Sequence, residues 1–489
     1  LPKLPIIEAV GSYIRESNAL FCTPGHKGGA GFNSPYTREF VENILKFDIT
    51  EVEGLDNLHA PEGIIRESEE LLSRFYGSYK SFYLINGSTL GNLIMIFSTF
   101  NEGDKILIER NCHKSVYNAV IMRKLRPVFI KNKISSLFNA PLSIDFEHFS
   151  EMIKVHKDIK GAVITYPNYY GVCCDLKKIV EECKKSKMKV LVDSAHGAHF
   201  GVHPELPENA VKSGADMVVS SAHKTLPSLT QTAYLHVGKD GDLEKVKFYF
   251  DAFSSTSPSY LFLCSLEFAR FYLEEKGRDD YGKLIEISGR YREKINLLEH
   301  VYIIGRNDIR NSRIDEGIHD LDPTRYTINV EKGYSGQMLM KYLREKGIQP
   351  EMSDGSNIVL ILSPFNTEGD FEKLYEAIKE CRFEEMKVEP HESVLCDIPY
   401  MKVLPHNAMN AEKKAINFQK SAGRICGENI VPYPPGVPFL MMGEEISKKH
   451  VEIMKGFIDN GVKVIGISSD SKIAVLEDEA LKLGMEEKF

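Results

Sequence analysis

Lys224 follows a short apolar run, Met217–Val219, and two serines, Ser220 and Ser221, and it sits within His223-Lys224-Thr225. An apolar run bounded this way reads as a buried strand, so the amine arrives at a strand end among hydroxyls and beside an imidazole. Burial and nearby cations lower a lysine pKa and leave more of the amine free to attack a carbonyl. The neighbouring Ser221 and His223 suit a phosphate. The chemistry these residue types favour is a Schiff base between Lys224 and a phosphorylated aldehyde, pyridoxal 5′-phosphate (PLP). Taken alone, the tripeptide more often marks a turn lysine in water, so the rest of the chain has to decide.

Three further stretches carry matching residue types. The run Ser81–Ile85 leads into Asn86-Gly87-Ser88-Thr89 and then a helix, Leu90–Phe100. Free N–H groups and hydroxyls at a helix N-terminus hold anions, so Gly87, Ser88 and Thr89 are candidates for the cofactor phosphate. Simple helix capping uses the same residues. The strand Lys105–Glu109 delivers His113 to its carboxyl end, as a candidate to stack on a flat ring. A histidine there is also an ordinary cap. The strand Lys189–Val192 ends on Asp193, whose carboxylate would keep a pyridine nitrogen protonated and the ring an electron sink. His196, His199 and His203 follow at helical steps, but Gly197, Gly201 and Pro204 argue against a helix and so against a metal site.

These residues need a frame. Strands at 81–85, 105–109, 128–130, 162–165, 189–192 and 217–219 alternate with helices such as Ile64–Tyr76, Ile144–Val155 and Asp175–Lys187. Ala233–Val237 is a further strand candidate. The alternation predicts an α/β fold with a mostly parallel, doubly wound sheet, in which ligands gather at the carboxyl ends of strands. Helices over Leu261–Glu275 and Arg278–Glu299 lead to a smaller α/β unit: strands Thr327–Val330 and Ile358–Leu362 with helices Gly336–Lys346 and Asp370–Cys381. The expected domains are an N-terminal arm and connector (1–80), a large PLP-binding domain (81–290), a small α/β domain (291–384) and a C-terminal α+β domain (385–489). In the last, the four prolines of Val431–Met442 predict a stiff loop. Two stretches near the start stay open: Cys22–Gly31, with His26 and Lys27, is a mobile or a ligand-lining loop, and Phe47–Gly63 is an ordered connector.

Composition narrows the class. The chain has 489 residues, 43% apolar and 27% charged, with net charge −8, values of an ordinary globular protein of two or three domains. There is no basic stripe with interleaved aromatics, so nucleic acid is not an expected partner. No segment has the apolar length to span a bilayer, and the start lacks the pattern of a signal peptide. The nine cysteines form no CxxC pair and read as reduced thiols, which points to the cytoplasm.

Together the stretches resemble the Orn/Lys/Arg decarboxylase family of PLP enzymes, which have the aspartate-aminotransferase-like fold (fold type I). The resembling motifs are TPGHKGG (Thr23–Gly29), DITEVEGLDNLHAPEG (Asp48–Gly63), NGSTLGN (Asn86–Asn92), RNCHKS (Arg110–Ser115), DSAHGAH (Asp193–His199), SSAHKTL (Ser220–Leu226), TSPSY (Thr256–Tyr260) and YPPGVP (Tyr433–Pro438). They stand in the family's order. The resemblance implies that Lys224 is the Schiff-base lysine, that Asp193 pairs with the ring nitrogen and that His113 stacks on the ring. It also implies that His196 contacts the phenolic oxygen and that Ser88, Thr89, Ser221 and His223 cradle the phosphate. Thr256 resembles a position that reaches the phosphate of a neighbouring subunit, which implies a homodimer or higher homo-oligomer with shared active sites. The sequence departs from the large members, whose receiver-like wing does not fit before Pro24, and it has Met442-Gly443-Glu444 where Pro-Gly-Glu is expected.

The implied reaction is α-decarboxylation of a basic L-amino acid to CO2 and a polyamine-type amine, with arginine favoured through the short, wingless members and lysine or ornithine as alternatives. Glu351 and Asp354 are candidates for reading the substrate's side-chain cation, although a solvated turn uses the same residues. The rivals are transamination on the same scaffold and a non-enzymatic PLP-fold regulator.

Overall fold

The computed structural model describes residues 3–135, 138–310, 317–389, 397–433, 437–459 and 461–477. The central sheet has seven strands: β1 (Lys80–Leu84), β2 (Lys105–Glu109), β3 (Arg126–Ile130), β4 (Ile159–Thr165), β5 (Lys189–Asp193), β6 (Met217–Ser220) and β7 (Ala233–Val237). They lie in the order β1-β7-β6-β5-β4-β2-β3. β6 to β3 run parallel, and β7 is antiparallel to both its neighbours. The expected mostly parallel sheet is therefore present, with β7 as its one reversed strand. β5 and β6 are buried almost throughout, which is why they read as unbroken apolar runs rather than alternating ones.

Strand order decides where a ligand fits. From β2 the chain goes out to β3, then returns across β2 to β4. That reversal opens a crevice at the carboxyl ends of β2 and β4, beside the ends of β5 and β6. Helix α1 (Gly87–Thr99) lies tight on the sheet here. A Cβ on Gly91 would come within 2.3 Å of Val219 Cγ2, so only glycine lets the helix approach β6 this closely. Helix α2 (Lys114–Met122) starts after β2, with His113 as its N-cap.

The smaller unit is an antiparallel sheet of β8 (Val301–Ile303), β9 (Arg325–Val330), β10 (Met352–Ser353) and β11 (Asn357–Ile361), in the order β8-β9-β11-β10. It shares one apolar core with the large sheet. The strand Ala19–Phe21 pairs with Ile348–Pro350, fastening the N-terminal segment to this unit. The C-terminal region has its own core, built on Phe418, Leu440, Ile446, Met454 and Phe457. Among the described residues no helix is long and apolar enough to cross a membrane.

Several sequence expectations need correction. The helix expected over Ile144–Val155 starts at Phe146, because Asp145 caps it by accepting the His148 N–H. Ile144 instead ends the strand Ala140–Ile144, which pairs with Asn132–Ser135 in a hairpin the sequence did not signal. The helices expected at Leu261–Glu275 and Arg278–Glu299 are one continuous rod, Tyr260–Tyr272 and Arg278–Ile295 joined by a wider turn at Leu273–Gly277. The stiff loop Val431–Met442 begins as a strand, Val431–Tyr433, paired with Lys463–Ile465. Residues 434–436 of that loop lie outside the described residues.

Candidate active site

β6 runs into a single helical turn, Ala222–Thr225, that carries Lys224. The turn is propped from beneath by the TPGHKGG loop. The Gly25 N–H donates to the His223 carbonyl at 2.7 Å, and a Cβ on Gly25 would sit 2.6 Å from the Thr225 carbonyl carbon. Lys27 is buried there, its Nζ donating to the Cys22 and Ile361 carbonyls. The loop is thus a brace packed against the turn, and its residues are not among those lining the cavity beside Lys224.

Lys224 opens on a cavity of about 420 Å³ whose inner end is formed by Ser88, His113, Asp193, His196 and Lys224. Lys224 Nζ lies 3.1 Å from His196 Nε2, and Arg325 Nη2 donates to the other ring nitrogen, Nδ1, at 3.2 Å. Burial holds the Lys224 amine below its ordinary value, Arg325 adds to this, and Asp193 and Glu351 oppose it. Burial likewise keeps the His196 ring well below its usual pKa, with the Lys224 and Arg325 charges pushing the same way. Asp193 is buried at the end of β5, its Oδ2 accepting from Asn92 at 2.8 Å and its Oδ1 from the Ala195 N–H at 3.1 Å. Asn92 also reaches Ser115 Oγ, which lies 2.8 Å from His113 Nδ1, so the carboxylate and the imidazole are set by one network.

At the start of α1, Ser221 Oγ donates to Ser88 Oγ at 2.9 Å, which joins the two phosphate candidates across the sheet. Gly87 has φ +73° and opens the helix. Thr89 is exposed beside it. His223 is tied to the Thr232 carbonyl at 2.8 Å, and burial brings its pKa down to about 4. Thr256 is exposed on the turn before the long rod and is not among the residues lining this cavity. Of the two acidic candidates, only Asp354 lines the cavity. It accepts from Tyr170 OH at 2.7 Å and caps the turn to Asn357, while Glu351 is bound by Tyr169 OH and the Thr23 N–H. Neither belongs to a merely solvated turn.

The donor set fits PLP. A strand-end carboxylate with lone pairs to spare meets a ring nitrogen, a buried amine meets an aldehyde, and hydroxyls at a helix N-terminus meet a phosphate. A family model described as the Orn/Lys/Arg decarboxylase major domain matches residues 4–370, and one described as the family's C-terminal domain matches residues 390–461. The chain belongs to the Orn/Lys/Arg decarboxylase family. It is 34% identical to an arginine decarboxylase of Bacillus subtilis (strain 168), over 94% of this chain and 95% of that one. A second arginine decarboxylase, from Halalkalibacterium halodurans, is also 34% identical, over 96% of both chains. The constitutive lysine decarboxylase of Escherichia coli (strain K12) is 26% identical over 91% of this chain and 76% of its own. The solved structure of the E. coli constitutive lysine decarboxylase has the same fold, with a TM-score of 0.76 at 22% identity, covering 97% of this chain and 82% of that one. The chain is therefore a PLP-dependent decarboxylase of fold type I.

Several residues of the site escaped the sequence reading. Asn92 stood inside a quoted motif without a role. Arg325 lies just before the predicted strand at 327, and nothing local marks it. Arg110 lines the cavity and forms a two-pronged ion pair with buried Glu444, at 2.5 and 2.8 Å, and also donates to the Phe439 carbonyl. The Met-Gly-Glu departure thus keeps the glutamate that joins the C-terminal region to the end of β2.

Proposed function

We propose that this enzyme removes the α-carboxyl group of a basic L-amino acid as CO2, with arginine favoured and lysine or ornithine as the alternatives. The observation that carries arginine is the end-to-end match, without large gaps in coverage, to two arginine decarboxylases. When bound, PLP supplies the electron sink for the pair left behind by CO2. Lys224 Nζ would hold the cofactor aldehyde beside the substrate amine. Asp193, held by Asn92 and the Ala195 N–H, keeps a proton on the ring nitrogen. His113 would cover the cofactor ring, and His196 would meet its phenolic oxygen. Gly87, Ser88, Thr89, Ser221 and His223 form the phosphate cradle, and Thr256 serves the cradle of a second subunit.

A homodimer or higher homo-oligomer is supported by the apolar surface of the N-terminal arm. The helix Pro5–Arg15 has no buried residue, and Ile6, Ile7 and Ile14 are each about two-thirds or more exposed (78%, 67% and 67%). The proposed domains are the arm and connector (1–80), the cofactor domain (81–290), the small domain (291–384) and the C-terminal domain (385–489), working in the cytoplasm to make a polyamine-type amine. The test is to incubate purified holoprotein with L-arginine, L-lysine and L-ornithine and identify the products. The decarboxylated amine of arginine with stoichiometric CO2 is expected. A different preferred substrate overturns the arginine assignment, and a keto acid without CO2 overturns the reaction.

A further inference from the structure

Arg325 begins β9, about a hundred residues after Lys224 in the chain, yet its guanidinium lies next to the Lys224–His196 pair. The side chain is buried, with 1% of the residue exposed. The turn after β4 wraps over it: Gly171 has φ +82°, and a Cβ there would come within 2.7 Å of Arg325 Cβ. That position admits only glycine, and the turn packs directly against the arginine stem.

A guanidinium can only donate. Because Arg325 Nη2 donates to His196 Nδ1, that nitrogen must hold a lone pair, and the neutral ring then carries its proton on Nε2. Nε2 is the nitrogen 3.1 Å from Lys224 Nζ. We propose that Arg325 is a positioning residue that locks His196 in the Nε2–H tautomer, so that the ring presents a hydrogen-bond donor, never an acceptor, to Lys224 Nζ. This rests on Lys224 being the amine that anchors the cofactor.

Two consequences follow from donor counting. An ammonium on Lys224 would set N–H against N–H at 3.1 Å, so the arrangement selects the free amine, the form that attacks a carbonyl. An imidazolium on His196 would set its Nδ1–H against the guanidinium N–H, so the ring stays neutral beside a cation. The groups that face His196 are Lys224 from the turn after β6, Arg325 from β9 and the Tyr169 ring at 4.7 Å from the turn after β4. The charges of His113 and His223 also bear on it and also disfavour its protonation. On Lys224, Asp193 and Glu351 pull towards the ammonium, and Arg325 opposes them. Arg325 therefore acts twice in the same direction, through the ring and through space.

The test uses the full chain without cofactor or substrate, so it does not depend on which amino acid is decarboxylated. Histidine-selective ¹⁵N labelling, with the His196 signal assigned by its loss in His196→Asn, reports which ring nitrogen carries the proton. The wild type is expected to show Nε2–H and no imidazolium from mildly acid to alkaline pH. Arg325→Met is expected to give an imidazolium signal at mildly acid pH, and Arg325→Lys, which keeps a donor, to restore the wild-type pattern. In parallel, acylation of Lys224 followed by peptide mapping measures the fraction of free amine. At neutral pH it should fall about tenfold in Arg325→Met, one pKa unit, while kcat/KM of the holoenzyme falls on the order of a hundredfold. Nδ1–H in the wild type overturns the proposal. So does an Arg325→Met protein that loses activity with its tautomer and acylation unchanged, since that is a packing effect alone. Should Arg325→Met fail to fold by circular dichroism, the wild-type spectrum and Arg325→Lys still decide.

Discussion

Replacing Glu444 with alanine strands Arg110. Both guanidinium bonds to the carboxylate, at 2.5 and 2.8 Å, disappear, and only the bond to the Phe439 carbonyl at 3.0 Å remains. Glu444 is fully buried and the Arg110 side chain is 15% exposed, so water cannot replace the lost partner well. Breaking a buried pair by removing one member costs about 3–5 kcal/mol. The Met441 N–H loses its acceptor as well, a further cost of about 1–3 kcal/mol. The strain falls where the C-terminal region meets the end of β2, because Glu444 belongs to one and Arg110 to the other. Native-state hydrogen exchange reads this locally. The Cys426 and Ile430 amides, bonded to the Glu444 and Leu440 carbonyls, should exchange roughly a hundredfold or more faster, at 1.4 kcal/mol per tenfold. Amides of β5 should be unaffected. Glu444→Gln, which keeps an acceptor, should show a smaller effect. Exchange at Cys426 within tenfold of wild type in Glu444→Ala would refute the reasoning that this pair docks the region.

Three further outcomes are expected. Asn92→Ala leaves Asp193 Oδ2 and the Ser115 hydroxyl without their shared donor, at about 1–3 kcal/mol, and the Kd for PLP measured by equilibrium dialysis should rise by roughly tenfold or more. Glu109 is buried at the end of β2, and desolvation lifts its pKa from 4.5 to about 7. Its folded value is the higher one, so its stabilising contribution is complete below about pH 4.5 and is lost as pH rises through about 7. Glu109→Gln should therefore match wild type in acid and exceed it above pH 7, by up to about 3 kcal/mol, with parallel melting curves at every pH as the contrary result. His113, His196 and His223 all have depressed values, through burial first, so their contribution is present above pH 6.5 and is lost as pH falls towards about 4, the His223 value. Cofactor retention on gel filtration should fall across that window.

The strands that carry the chemistry were legible because parallel strands covered on both faces have no polar alternation. Lys105–Glu109 was read to the residue, and Met217–Val219 fell one residue short. Asp193 at the end of β5 and Lys224 in the turn after β6 then marked the crevice. What the sequence hid was everything held by distant partners. Arg325 is one cation at the start of a strand in another unit, and it stands beside His196, with Gly171 packed against it, only once the two units have come together. The hairpin of Asn132–Ser135 with Ala140–Ile144 escaped because its first strand is mostly half-buried and short, so Ile144 was absorbed into the periodicity of the helix that follows. Glu351 and Asp354 were read beside a solvated turn because charged residues near glycine usually are solvated. Tyr169 and Tyr170, from the turn after β4, enclose them instead.

Lys224 is the proposed anchoring amine at the crevice of β2, β4, β5 and β6. Borohydride reduction of the PLP-loaded protein, followed by peptide mapping, tests this directly. A single pyridoxyl group on Lys224 is the predicted result. A label on any other lysine, including the buried Lys27 beneath the site, or no label at all, would contradict it.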